Sequence, residues 1–214
     1  IDPEYQHMDL KFEYDLEYIY FGAAKKRYYG IIRENNKKVI RGMNIIRKDT
    51  PEFLKSKLNE MAEMSVRDQL DLGWLVNIRK EIETIPYEEL GISKAFSKPF
   101  SEYTKTMPQH VKASKWANDK LGTEISSKDN PYLFYIKSNC EDDLKKKDKQ
   151  RAICLNDEDL KYIDTRKDIF EIDYDVYFQK QIYEQLEEFA LIPEIKDMLV
   201  SYKGYQKRLL QEAV

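Results

Sequence analysis

Across residues 10–20 an apolar side chain falls at every second position: Leu10, Phe12, Tyr14, Leu16, Tyr18 and Tyr20. Lys11, Glu13, Asp15 and Glu17 fill the gaps. A period of two places alternate side chains on opposite faces of an extended chain, so this stretch is predicted to be a half-buried strand. Further strands are expected over Tyr28–Ile32 and residues 38–46, with Glu34-Asn35-Asn36 supplying the reversal. Asn tolerates left-handed backbone angles and so suits that turn. A chain that opens this way is committed to an antiparallel sheet.

The period then changes. Thr50-Pro51 reads as a helix start, with Thr at the N-cap and Pro in the first turn. Leu54, Leu58, Met61 and Ser65 follow one face of that helix. A second helix is predicted to carry Trp74, Leu75, Ile78, Ile82 and Ile85 and to end at Pro86. Residues 91–107 read as a basic, irregular connector, and a helix resumes over residues 108–121 with Val111, Ser114, Ala117 and Leu121 inward. Short strands are expected at residues 132–136 and 151–155, separated by a charged loop at 138–150, and helices at 173–190 and 194–212. The expected class is α+β: N-terminal antiparallel strands, then a mainly helical region with a few short strands.

Charge is unevenly spread. Between Lys25 and Glu60 there are eleven Lys and Arg against four acids, in a chain whose net charge is −3. Residues 139–200 hold seventeen acids and ten bases and offset that excess. A local basic surface within an acidic chain points to a polyanionic partner. Lys and Arg neutralise phosphates and release counterions, and Tyr bonds a phosphate or packs on a sugar. Gly30 and Gly42 are expected to let a backbone approach closely. On residue type alone, a solvated hairpin whose charges protect its edges explains the same pattern.

Other chemistry has little support. No apolar run reaches the roughly 20 residues needed to span a bilayer. The two cysteines, Cys140 and Cys154, have no CxxC companion, which argues for a reducing compartment and against a zinc cluster. Two histidines, His7 and His110, are too few for a hydrolase triad or a His-rich metal site. Residues 1–7 are expected to be an expression scar, with Met8 the natural start.

The order of motifs is more specific than any one of them. Ala24-Lys25-Lys26-Arg27-Tyr28-Tyr29-Gly30 is followed by Ile40-Arg41-Gly42-Met43-Asn44-Ile45-Ile46-Arg47-Lys48-Asp49 and then by a helix. Next come Ser97-Lys98-Pro99-Phe100-Ser101-Glu102-Tyr103 and Pro108-Gln109-His110-Val111. Asp173-Tyr174-Asp175-Val176-Tyr177-Phe178-Gln179-Lys180-Gln181 completes the series. Together these resemble the C-terminal part of an archaeal-type family B DNA polymerase, over residues 10–190.

The resemblance implies that residues 8–48 form the end of a palm domain and residues 49–214 a thumb. Lys25, Lys26, Arg27 and Tyr28 would hold the primer–template duplex, with Arg41, Arg47 and Lys48 supporting that surface. Ser97, Lys98 and Tyr103 would lie along the thumb track. Departures are mild: Lys48 stands where the family has Arg, and Gln109 is inserted into a Pro-His pair. For His110 a packing or capping role is an equal expectation.

The family's metal-holding carboxylate segments, an Asp-x-x-Ser-Leu-Tyr-Pro-Ser segment and a Tyr-Gly-Asp-Thr-Asp turn, are not in this sequence. Tyr162-Ile163-Asp164-Thr165-Arg166 imitates the turn but ends in Arg. The resemblance therefore implies the small subunit, or a C-terminal fragment, of a split polymerase. Its large subunit would carry the aspartates and their Mg2+, and this chain would bind no cofactor. Its partners would be that subunit, duplex DNA and, in some such enzymes, a sliding clamp. Residues 202–214 show no Gln-x-x-aliphatic-x-x-aromatic-aromatic clamp peptide. A cytoplasmic, nucleoid-associated protein without membrane contact is expected. The alternative is a stand-alone, non-enzymatic duplex-binding module.

Overall fold

In the computed structural model the described residues are 12–43, 45, 50–104, 106–141 and 150–212, with side chains described through residue 204. The chain divides into two compact units, Ile1–Met43 and Asn44–Val214.

The first unit is a three-stranded antiparallel sheet in the order β1-β2-β3, formed by β1 (Leu16–Phe21), β2 (Tyr28–Ile32) and β3 (Lys38–Arg41). The predicted alternation holds within β1: Tyr20 is buried and Leu16 and Tyr18 half-buried, while Glu17 and Ile19 face outward. Residues 12–15 are not strand, so the element begins later than the periodicity implied. β3 also stops short of residue 46. Gly42 turns the chain at φ +64°, which no ladder accommodates. Asn36 reverses the chain between β2 and β3 at φ +55°, as its residue type implied. The described core of this unit is Tyr20, Tyr29, Ile31, Val39 and Met43.

The second unit is mainly helical around a small sheet. Helix α1 (Glu52–Val66) buries Leu54, Leu58, Met61, Ala62 and Ser65. Its N-cap is Pro51 rather than Thr50, and Thr50 is itself buried. Helix α2 (Leu72–Glu81) is capped by Asp71, whose carboxylate accepts from Trp74 N at 2.8 Å. Ile82–Thr84 continue it as a 3-10 turn, and Pro86 starts α3 (Tyr87–Leu90).

The segment predicted as a connector contains β4 (Ile92–Ser93) and a 3-10 turn, Phe100–Glu102. Helix α4 (Gln109–Leu121) buries Val111, Ala113, Ser114, Ala117 and Leu121 and ends at Gly122, φ +71°. Strand β5 (Tyr132–Ser138) is the centre of the sheet. It pairs antiparallel with β6 (Ala152–Leu155) and, at its two ends, with β4 and β7 (Phe170–Ile172). Strand β7 carries only three residues, too few to show a period, and the sequence did not reveal it. A short helix, α5 (Tyr162–Thr165), precedes it.

The region predicted as one helix at 173–190 is broken. It runs as α6 (Tyr174–Phe178), a π-helical turn over Gln179–Tyr183, α7 (Glu184–Leu186) and a 3-10 turn. The final helix α8 spans Pro193–Glu212. The core is strongly aromatic: Phe134, Phe170, Tyr177, Phe178, Tyr183 and Phe189 are all fully enclosed. No helix among the described residues is long and apolar enough to cross a membrane.

Candidate nucleic-acid interface

The basic cluster sits on the turn between β1 and β2. Gly22 N donates to Arg27 O at 3.0 Å and closes that turn. Lys26 occupies φ +64°, an uncommon angle for a residue with a side chain. Gly42, the residue after β3, packs against it. A Cβ on Gly42 would fall 2.7 Å from Lys26 O and 3.2 Å from Arg27 Cγ. Gly42 thus admits the backbone of the basic turn. Gly30 serves packing in the same way, since its missing Cβ would lie 3.0 Å from a methyl of Leu16. The expected close approach of a backbone is met at Gly42 by Lys26 O, whereas at Gly30 the nearest atoms are the side-chain methyls of Leu16.

Lys25 and Lys26 are exposed, and Arg27 and Tyr28 half-buried. Tyr28 opens β2 and stands opposite Arg41 on β3. Hydrogen bonds from Arg41 to the Tyr28 and Tyr14 hydroxyls raise the guanidinium pKa above its ordinary value. Arg41 is exposed, so its charge is presented outward. Tyr14 was read only as a strand residue; nothing in its spacing announces a contact with Arg41. Arg33 is engaged differently. It bonds Asp15 at 3.3 Å across the mouth of the sheet. The first unit therefore brings together Lys25, Lys26, Arg27, Tyr28 and Arg41 from two strands and one turn. Arg47 and Lys48 lie outside the described residues.

In the second unit, Ser97, Lys98 and Tyr103 form one small cluster. Ser97 Oγ and the Tyr103 hydroxyl are 3.1 Å apart. The Lys98 amine donates to Glu102 O at 2.9 Å and lies 4.8 Å from the centre of the Tyr103 ring. Tyr103 is buried, and Lys98 and Ser97 are exposed. Pro99 and the 3-10 turn fold the segment back on itself, which explains why a buried Tyr sits six residues from an exposed Ser. Phe96 is wedged between Phe100, at 4.8 Å, and His110, at 5.3 Å. His110 is thus packed against an aromatic ring.

The last motif is mostly structural. Asp173 caps α6 by accepting from Val176 N at 3.1 Å. Asp175 takes Arg79 of α2 at 2.7 Å. Tyr177 is enclosed and donates to Leu133 O at 3.5 Å. The imitation turn is a helix, α5, in which Asp164 accepts from the Tyr87 hydroxyl at 2.8 Å. Burial, and then that contact, raise the Tyr87 pKa well above its ordinary value. Among the described residues no three His, Cys, Asp or Glu side chains cluster as metal ligands. What these residues offer is cationic and aromatic surface.

The family model described as DNA polymerase family B matches residues 5–191, and the chain belongs to that family. DNA polymerase 1 of Saccharolobus solfataricus is 27% identical over 177 residues, which cover 77% of this chain and 19% of that protein. DNA polymerase 1 of Sulfurisphaera ohwakuensis is 29% identical over 178 residues, again 77% of this chain and 20% of the relative. DNA polymerase II of Escherichia coli is 26% identical over 145 residues, 59% of this chain and 18% of its own. The chain spans about a fifth of the length of these relatives.

Proposed function

We propose that this chain is the duplex-gripping part of a family B DNA polymerase, its palm end and thumb, and that it works as a small subunit or C-terminal portion. The observation that carries the reading is the family match through residues 5–191, in which the exposed Lys25-Lys26 turn and the outward Arg41 fall on one sheet. Lys25, Lys26, Arg27 and Arg41 take phosphates of the primer–template duplex, and Tyr28 orients Arg41. Lys98, steadied on the Tyr103 ring, makes a second phosphate contact. Arg47 and Lys48 extend the first surface. The aspartates and Mg2+ of nucleotidyl transfer belong to the rest of the polymerase, so this chain performs no chemistry alone.

A partner surface is available. Among the described residues strand β1 is an edge of its sheet, and within it Ile19 is 47% and Phe21 64% exposed. An open strand edge with apolar side chains tends to pair with another chain. In this reading the palm sheet of the large part covers it. Reconstitution tests the proposal. The isolated chain incorporates no nucleotide, and incorporation appears when a fragment with the catalytic aspartates is added. Incorporation by the single chain ends the reading. Duplex binding with no gain on mixing favours the stand-alone module.

A further inference from the structure

Six large apolar side chains are exposed among the described residues, and four of them, Phe12, Tyr14, Ile19 and Phe21, lie in residues 12–21. Apolar surface is therefore concentrated on β1 and the segment before it. The backbone of β1 is presented at the same place. Gly22 N donates to Arg27 O and closes the β1–β2 turn, and Tyr20 lies opposite Tyr29. In an antiparallel ladder, residues that bond the neighbouring strand alternate with residues that do not. Counting back from Gly22, Tyr20 bonds β2, so the N–H and C=O of Ile19 and Phe21 turn toward the other edge. No strand pairs with that edge among the described residues.

Charge is divided along this edge. Glu13, Asp15 and Glu17 stand at its start and are exposed. Lys25 and Lys26 are exposed on the turn at its end. A strand with acids at one end and bases at the other is matched by a copy of itself turned end for end. That is the arrangement of an isologous, twofold interface, in which one patch serves both subunits.

We infer that this chain, before it meets the rest of a polymerase, pairs with a second copy of itself through β1. The two β1 strands run antiparallel, with Tyr20 of each copy at the twofold axis. Ile19 of one copy lies opposite Phe21 of the other, and an aromatic side chain opposite a β-branched one is a favourable cross-strand pair. The two three-stranded sheets become one continuous sheet. Tyr28, whose ring centre is 6.4 Å from that of Phe21, borders the apolar patch so formed. Glu17 of each copy faces the Lys25-Lys26 turn of the other. Left uncovered, an apolar edge of this kind invites aggregation. Self-pairing stands apart from the polymerase reading. Its release rests on that reading: the large part takes the same edge, so assembly separates the pair.

Sedimentation equilibrium of the full chain tests the inference. Monomer and dimer should exchange across the micromolar range. Phe21→Lys should give a monomer with unchanged circular dichroism, since the side chain is exposed. Ile19→Lys serves if Phe21→Lys fails to fold. Glu17→Lys and Lys25→Glu should each weaken the dimer about fivefold. Mixing those two variants should restore it, because every pair then joins opposite charges, and a merely structural role produces no such rescue. A monomer at every concentration overturns the inference. So does a dimer that none of these substitutions changes, or a mixture no tighter than its parts. A fragment with the catalytic aspartates should convert the dimer into a complex holding one copy of this chain; a fragment that binds the intact dimer overturns the shared edge. Nucleotide incorporation is read separately from oligomeric state, so the polymerase reading and self-pairing can each fail alone.

Discussion

Tyr28 and Arg41 face each other across β2 and β3, and the hydrogen bond from Arg41 to the Tyr28 hydroxyl is the largest cause of the raised guanidinium pKa. The pair places a fixed, solvent-facing guanidinium on the same sheet as the exposed Lys25-Lys26 turn. Arg41→Ala is expected to weaken duplex DNA binding on every sequence alike and to lower the salt slope by about 0.9, the value for one phosphate contact. Tyr28→Phe should weaken binding less, because the cation remains. Fluorescence anisotropy across a salt series measures both.

Lys25→Ala and Lys26→Ala should behave like Arg41→Ala in affinity and salt slope, and the double variant should lower the slope by about 1.8. Both side chains are exposed, so thermal unfolding should be nearly unchanged. A lost slope with an unchanged melting temperature separates a phosphate contact from a structural role. An unchanged slope in the double variant would show that these lysines merely solubilise the turn.

Gly42→Ala is expected to disrupt the first unit. A methyl group there is strained at φ +64° and would meet Lys26 O at 2.7 Å. Left-handed geometry alone costs about 1–2 kcal/mol for a residue with a Cβ. The backbone clash adds to that and displaces the basic turn. Chemical denaturation and duplex affinity should therefore fall together, unlike in the lysine variants.

Cys154 is fully buried beside His110 O, and burial pushes its thiol pKa up to about 12 from 9.0. Only Cys140, half-exposed, should react with a thiol reagent at pH 8 in the folded chain. Cys154 should be labelled only after unfolding. The sign of the pH effect follows. Above about 9 the unfolded chain loses this proton while the folded chain keeps it. The thiol's contribution to stability is thus constant below 9 and declines as pH rises towards 12. Denaturation curves of Cys154→Ala and the parent chain should differ in slope against pH only in that alkaline range.

Asp71→Ala should destabilise α2 by about 1 kcal/mol, since Trp74 N loses its acceptor. Chemical denaturation with an unchanged m-value checks this.

Much of the fold was legible because its signals are local. The alternation Leu16, Tyr18, Tyr20 gave β1, and Leu54, Leu58 and Met61 gave the buried face of α1. Strand ends were less legible. β3 ends at Arg41, where Gly42 takes φ +64°, and Lys26 O lies where a Gly42 Cβ would be, a contact between residues sixteen apart. The π-helical turn at Gln179–Tyr183 has no signature in residue type, and a helical period continues through it.

The candidate site divides the same way. Residue order alone picked out Lys25, Lys26, Arg27, Tyr28 and Arg41, because clustered cations in a strand–turn–strand pattern are visible in one dimension. Ser97, Lys98 and Tyr103 were also visible, but their mutual contacts were not. The chain's own order of residues decided its membership of a polymerase family and the sign of its surface. Tertiary structure decided which groups are tied and which are presented. Arg33 is paired with Asp15, Arg41 is steadied by Tyr14 and Tyr28, and Gln185 Oε1 is enclosed without a donor among the described residues. The physical reason is that charge and period are carried by single residues and their neighbours, whereas desolvation and pairing exist only between groups that folding brings together.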